Sequence, residues 1–303
     1  AGVSAAYPHV VTLQPPVPPI QVTNFNDDGP GSLRQVILAA PDGATIRIGS
    51  GIVRLEKPIE LKGRRLTIEG GGILTSAIDA QNLSRHFVIM NKATTPSDIT
   101  ITGLTLQNGF NLGGHGGEGN GGGGGAAGLG GSMFIDNLGG NVRLQGVIFW
   151  KNRAQGGNGG PGAGISGQER AAVDLWNHGG GGGGGLDKNN GAAGVRHPGT
   201  SDARTGGDGG GGGVLGGIGG NGNEDAPLAA ARKGGPGAGG GGGQGFIWTA
   251  MDHQLNKEVV NGANSFGAGD GGFGGGSGGG GTGTAGGSYA EGWMGIAGFG
   301  GGS

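Results

Sequence analysis

The stretch from Gly113 to Gly131, GGHGGEGNGGGGGAAGLGG, restricts the fold more than any other part of the chain. Glycine loses the most backbone entropy on ordering and has no side chain to bury, so such a run forms neither an ordinary helix nor an ordinary strand. It is either a disordered coil or a segment packed through its backbone. Similar runs recur to the C-terminal end. Of 87 glycines in 303 residues, 12 precede residue 111 and 75 follow it, which divides the chain into two compositional halves. A collagen triple helix is excluded, because the G-X-Y period is not sustained and only 13 residues are proline.

Charge and cysteine content narrow the function classes. A net charge of −2 with 13% charged residues provides neither a charge-driven disordered tail nor a basic patch, so no nucleic-acid partner is expected. No apolar run approaches the roughly 20 residues of a membrane span, so none is expected either. Cysteine is absent, which removes disulfides and thiolate metal sites. The opening Ala-Gly-Val-Ser-Ala-Ala reads as a mature end left by signal-peptide cleavage, and an extracellular or cell-surface location is expected.

Residues 1–21 read as an extended arm. Pro15, Pro16, Pro18 and Pro19 enforce polyproline II, and the β-prone run around Val10–Leu13 is suited to strand addition on another subunit. Tyr7, Val10, Val11 and Leu13 are the candidate inter-subunit contacts. Next come a short strand at Val22–Asn24, a turn at Asn26–Gly31 and a capping box, Ser32 to Gln35, that opens a helix over Leu33–Ala40. Its apolar face is Leu33, Val36, Ile37 and Ala40.

The run VTNFNDDGPGSLRQVILAA, followed by GATIRI, resembles the start of bacterial secreted right-handed parallel β-helix proteins, the pectin-lyase-like and polymorphic outer-membrane-protein-like chains. These often open with V-T-N-x-N-D-x-G-x-G-S-L-R-x-A-I; Val36-Ile37 stands here in place of Ala-Ile. The resemblance implies secretion and a solenoid capped by this strand and helix, and it is silent on activity. Residues 44–110 carry their own pattern. Thr45–Ile48, Leu66–Glu69 and Phe87–Met90 are spaced 21 apart, a plausible coil length, and Ile99–Thr102 follows. Ile99–Leu106 also aligns with Val142–Phe149 at an offset of 43, taken as about two coils, with Met133–Asn137 as the rung between.

In the glycine-rich half, non-glycine residues often fall three apart, as at His115 and Glu118, Asn158 and Pro161, or Asp270 and Phe273. Polyproline II has three residues per turn, so each series marks one edge of such a helix. The spacing resembles the polyglycine II bundles of springtail antifreeze proteins and of some phage tail-tip adhesins. Three islands, Ala171–Asn177, Asp225–Lys233 and Trp248–Val260, read as short helices. The aromatics Trp150, Trp176, Trp248, Trp293, Phe266, Phe273 and Phe299 read as core or interface packing.

No catalytic constellation is apparent. Asp79, Arg85, His86 and Asp98 are the acidic and basic candidates, but they repeat at no coil spacing and have no nucleophile motif beside them. His115, His178 and His197 lack metal-ligand spacing, and Asp208 and Asp270 begin no calcium-binding tandem. The expectation is therefore a mainly β protein: residues 1–21 an arm, 22–110 a right-handed parallel β-helix with an N-terminal capping helix, and 111–303 a glycine-rich region with β-helix rungs to about 152, then polyglycine II segments and short helices. The expected role is a non-enzymatic structural subunit of a self-assembling extracellular filament, fibre or sheath, with itself as partner and no cofactor or metal. The alternative is an adhesin that binds cell-surface glycans or envelope components; a polysaccharide lyase or hydrolase ranks third.

Overall fold

The structure is a computed structural model that describes residues 17–119, 121–162, 181–197, 201–205, 207–220, 222, 231–242, 245–252, 257–265, 268–279, 282–285, 288–291, 295–299 and 301–302. It is mainly β, with parallel and antiparallel sheets and a single α-helix among these residues. Tyr7, Val10, Val11, Leu13 and the island Ala171–Asn177 lie outside them.

The first half is built from three sets of parallel strands. One set holds β1 (Ile20–Val22), β2 (Ala44–Ile48), β5 (Arg65–Gly70), β8 (Asp98–Gln107) and β11 (Asn141–Trp150). A second holds β3 (Gly51–Arg54) and β6 (Ser76–Asp79), continued by the last residues of β8 and β11. The third holds β4 (Ile59–Lys62), β7 (Phe87–Met90) and β10 (Met133–Asp136), with a shorter pair of β9 (Phe110–Leu112) and β12 (Arg153–Gln155) beside them. Alternation puts one apolar face of β2, β4, β5 and β6 inside, whereas β7 is buried at three successive residues. The inward residues then form columns across the ladders: Ile20, Ile46, Ile68, Ile101 and Leu144 in one, and Val53, Ile78, Leu106 and Phe149 in another. Gly103 and Gly146 adopt left-handed φ of +64° and +56°, where β8 and β11 bend from one ladder to the next.

The helix α1 (Leu33–Ala39) lies at the N-terminal end of these columns. Ser32 is its N-cap, and its side chain accepts from the Gln35 N–H at 3.3 Å. The reciprocal half of the expected capping box is not made: the Gln35 amide donates to Asp28 instead, at 2.7 Å. Leu33, Val36, Ile37 and Ala40 are all buried against the core.

Three readings of the repeat need correction. Leu66 pairs with Ile99, not with Phe87, which stacks between Ile59 and Met133 in the third set. The spacing of 21 holds for neither step: Thr45 pairs with Thr67, an offset of 22, and Leu66 with Ile99, an offset of 33, because the 71–75, 80–86 and 91–97 connections are longer than their counterparts before β5. Ile99 pairs directly with Val142, so the offset of 43 is one step rather than two; the excursion Gly113–Gly131 accounts for the added length. Met133–Asp136 is consequently not a rung between those two strands. The arm also ends earlier than residue 21, since Ile20 and Gln21 pair with Ile46 and Arg47.

The glycine-rich half packs through backbone. Residues 181–186 occupy its centre, all buried. Gly181 and Gly184 donate to the carbonyls of Gly121 and Gly124, Gly182 and Gly185 to Ala192 and Asn189, and Gly183 and Leu186 to Gly240 and Gly237, at 2.7–2.9 Å. Three successive residues thus address three different neighbours, and the pattern repeats with a period of three. Their own carbonyls accept from three further segments, through Gly114 and Gly117, Gly210, and Gly276 and Gly279. Six segments surround one, and every N–H and C=O of Gly181–Gly185 is paired, as buried backbone requires. The expected threefold spacing appears in these bonds: His115 and Glu118 accept at their carbonyls from Gly191 and Gly194.

Close approach fixes the composition of this centre. A Cβ on Gly183 would overlap the Gly276 carbonyl oxygen, and one on Gly182 the Asp208 carbonyl oxygen. At the periphery, polar side chains replace missing neighbours. Asp208 accepts from the Gly222 N–H, Asp270 from Ile296, Asn190 from His115 and the His115 ring from Asn158.

Antiparallel strands interrupt the glycine segments. β13 (Val195–His197), β14 (Ser201–Thr205), β15 (Gly245–Asp252) and β16 (Lys257–Ser265) form one sheet, and β17 (Thr282–Ala285) and β18 (Ser288–Glu291) form a hairpin. The expected helix Trp248–Val260 is corrected: Trp248–Asp252 pairs antiparallel with Lys257–Gly262. The β-branched and aromatic run Phe246–Thr249 and Val259–Val260 favour a pleated surface over a helix. Residues 231–233 of the expected Asp225–Lys233 helix are also non-helical, and 223–230 lie outside the described residues.

Substitution at the bundle centre tests this packing. Gly183→Ala is expected to lower stability by about 3 kcal/mol or more, because backbone rather than a side-chain tip must move. Gly49→Ala, whose Cβ would meet nothing within 4 Å, is expected to be neutral in the same thermal or urea denaturation.

Candidate functional site

The candidate catalytic residues are placed in structural roles. His86 is fully buried between the ladders. Its Nε2 lies 3.0 Å from the Ile78 carbonyl and 2.9 Å from the Gln107 carbonyl, so it carries the proton and donates. Nδ1 then accepts from the Ser132 hydroxyl at 3.0 Å. Burial pushes the imidazole pKa down, although its hydrogen bonds and nearby Asp79 oppose the shift. Burial of Asp79 disfavours its charge, but bonds from Asn108, Gln107 and the Gln81 N–H outweigh this and hold its carboxyl below the usual range. Asp98 accepts from the backbone and side chain of Asn141, locking β8 to β11.

Arg85 joins the two halves of the molecule. Its guanidinium, 3% exposed, donates to Asp187 at 2.6 Å and to the carbonyls of Leu129 and Gly130. Asp187 also accepts from Asn111 and from the Val214 N–H. It begins the left-handed pair Asp187–Lys188 that turns the central glycine segment back, and the Lys188 N–H donates to the Leu112 carbonyl beside β9. No sequence spacing relates Arg85 to Asp187, which are 102 residues apart.

Two apolar surfaces are exposed in large part, although on the first the Lys151 ammonium lies over the Trp150 ring, 4.2 Å from its centroid. The first is the last layer of the parallel strands. Ile89, Ile101 and Leu106 are fully buried, whereas their neighbours one step on, Ile135, Leu144 and Phe149, are 48%, 39% and 47% exposed. Among the described residues, the outer edge of β11 pairs with no strand, and Ile148 and Trp150 extend the apolar surface outward. The second is a groove of roughly 530 Å³ on the glycine bundle, between residues 233–236, 270–273 and 296–299. Phe273 and Phe299 stack there with centroids 5.9 Å apart. Core packing therefore fails as a reading of Trp150, Phe273 and Phe299, which are exposed. Trp176, Trp293 and Phe266 lie outside the described residues, and only the backbone of Trp248 is described.

Among the described residues, no group of three or more His, Asp or Glu side chains is placed to hold a metal ion, and no helix is long and apolar enough to cross a membrane. Comparison with protein-family models, with curated proteins and with solved structures finds no match.

Two measurements probe the buried polar groups. The lowered His86 pKa means that the unfolded chain takes up the proton first. Stability is thus expected to fall as pH drops below about 6.5, and His86→Gln to flatten that slope in denaturation curves at pH 7.5, 6.5 and 5.5. Arg85→Met, which leaves Asp187 without its cation, is expected to cost about 3–5 kcal/mol.

Proposed function

We propose that the chain is a structural subunit of an extracellular filament, fibre or surface sheath assembled from copies of itself. In this reading the parallel strands are coils of a right-handed β-helix, supported by the in-register columns and by the return of the chain to the same ladders. The glycine segments are polyglycine II helices, supported by the period of three and the six neighbours around residues 181–186.

The observation that carries the reading is the partly exposed layer Ile135, Leu144 and Phe149, beside an edge of β11 that pairs with no strand among the described residues. α1 covers one end of the columns; at the other, Ile135, Leu144 and Phe149 stay 39–48% exposed. An apolar layer and an unpaired strand edge together form a template for another β segment. The run Val10–Leu13 of a neighbouring copy suits that edge through main-chain hydrogen bonds, with Tyr7 as a further contact.

One arrangement favours the adhesin as a second reading. Segments 113–119, 189–194, 237–242 and 276–279 run in one direction and 181–186 and 207–212 in the other, as their hydrogen-bond registers require. The β13–β14, β15–β16 and β17–β18 excursions therefore all leave from the same end of the bundle, opposite the Asp187 turn. A display surface for glycan or envelope partners at that end fits this topology.

Sedimentation and negative-stain microscopy separate the two. The assembly reading expects filaments or higher oligomers, with self-association weakened at least about tenfold by Phe149→Asp and by removal of residues 1–16. A monomer that binds immobilised glycans with both changes in place would establish the adhesin reading instead.

A further inference from the structure

We infer that the Phe273–Phe299 groove is a second self-association surface, one that takes the same groove of another copy of this chain; the inference rests on the assembly reading above. The groove follows from the register of two glycine segments. Gly271 and Gly274 donate to the carbonyls of Ile296 and Phe299, at 2.8 and 2.9 Å, which sets the segments side by side three residues at a time. The inward positions Gly295, Gly298 and Gly301 admit no side chain, since a Cβ at each would overlap the carbonyl of Gly269, Gly272 or Gly275. Bulk can only point outward. Ile296 and Phe299 do so, at 73% and 83% exposure, and Phe299 stacks on Phe273.

The lining argues for a second copy as occupant. The charged side chains along the groove are one cation, Lys233, and one anion, Asp270. Lys233 and Asp270 lie together at one end of the groove, where the Gly234 N–H donates to the Asp270 carbonyl, and the aromatic pair lies at the other. A copy related by a two-fold axis along the groove sets Lys233 of each against Asp270 of the other and the aromatic pairs against each other. Such a patch is self-complementary, as a two-fold interface must be. An apolar aromatic centre with charges at its rim is also the usual composition of subunit contacts. A sugar or nucleic-acid ligand is disfavoured, because the lining has no amide or hydroxyl side chain and one Asp270 oxygen is already bound to the Ile296 N–H. The flanking glycines let a second backbone approach as closely as segments do inside the bundle. With the β11 layer as one contact and this groove as the other, each subunit has two different contacts, and assembly propagates instead of stopping at a pair.

Light scattering and sedimentation equilibrium on the whole chain test this. Phe149→Asp, which blocks the strand-end contact, is expected to leave dimers. Adding Phe299→Asp or Lys233→Glu is expected to give monomers, with the dimer dissociation constant raised at least about tenfold and thermal melting unchanged, because both side chains are exposed. A Phe149→Asp protein that is already monomeric, or a double variant that dimerises equally well, overturns the inference while the assembly reading stands. A wild-type chain that is monomeric at every concentration overturns both.

Discussion

A core with no side chains must satisfy every backbone donor and acceptor from its neighbours, and this requirement governs the second half of the molecule. The energetics explain why. Ordering one residue costs about 1–2 kcal/mol, and a backbone hydrogen bond contributes a net of about 1 kcal/mol. Each glycine therefore comes close to breaking even. Apolar burial adds little, since Ala126, Ala127, Leu186 and Ala238 are the buried aliphatic side chains described within the bundle. The remaining cohesion is dispersion between closely packed backbones, which holds only while no Cβ intervenes. Glycine at the centre is thus a packing requirement rather than a source of flexibility.

Such a bundle needs a template, and the parallel strands supply it. Their aliphatic columns give a conventional hydrophobic core, closed at one end by α1. The excursion Gly113–Gly131 leaves after β9 and returns at β10, so its first and last residues are held by the ladders. Arg85 and Asp187 then fix the turn that follows the central segment. A buried ion pair is weak evidence for stability, but here it determines where the bundle sits on the strands, because Arg85 also binds the Leu129 and Gly130 carbonyls at the end of the same excursion.

The parts of the fold legible in the sequence are those that local chemistry determines. Ser32 and the face Leu33, Val36, Ile37 and Ala40 marked the helix, alternation marked β2 and β5, and a continuous apolar run marked β7. The pairing of Ile99 with Val142 was readable as a repeat, but its step count was not, because a glycine excursion adds length without changing register. The period of three at His115 and Glu118 was visible, whereas the partners of each edge were not, since glycine runs differ from one another in nothing that encodes pairing. Trp248–Val260 shows a different limit: the island read as a short helix, and cross-strand pairing of β15 with β16 prevailed. Arg85 was visible as a candidate, but its partner Asp187 was found only through the path of the chain. The open layer at β11 is likewise a property of how the described residues pack in space, with Ile135, Leu144 and Phe149 left partly exposed.

Amide hydrogen exchange at Gly181–Gly185 tests the backbone-packed core most directly. These amides should exchange as slowly as those of Ile99 and Ile101 in β8, through the same global opening. Exchange at the rate of an unstructured glycine coil, with β8 still protected, would contradict the account.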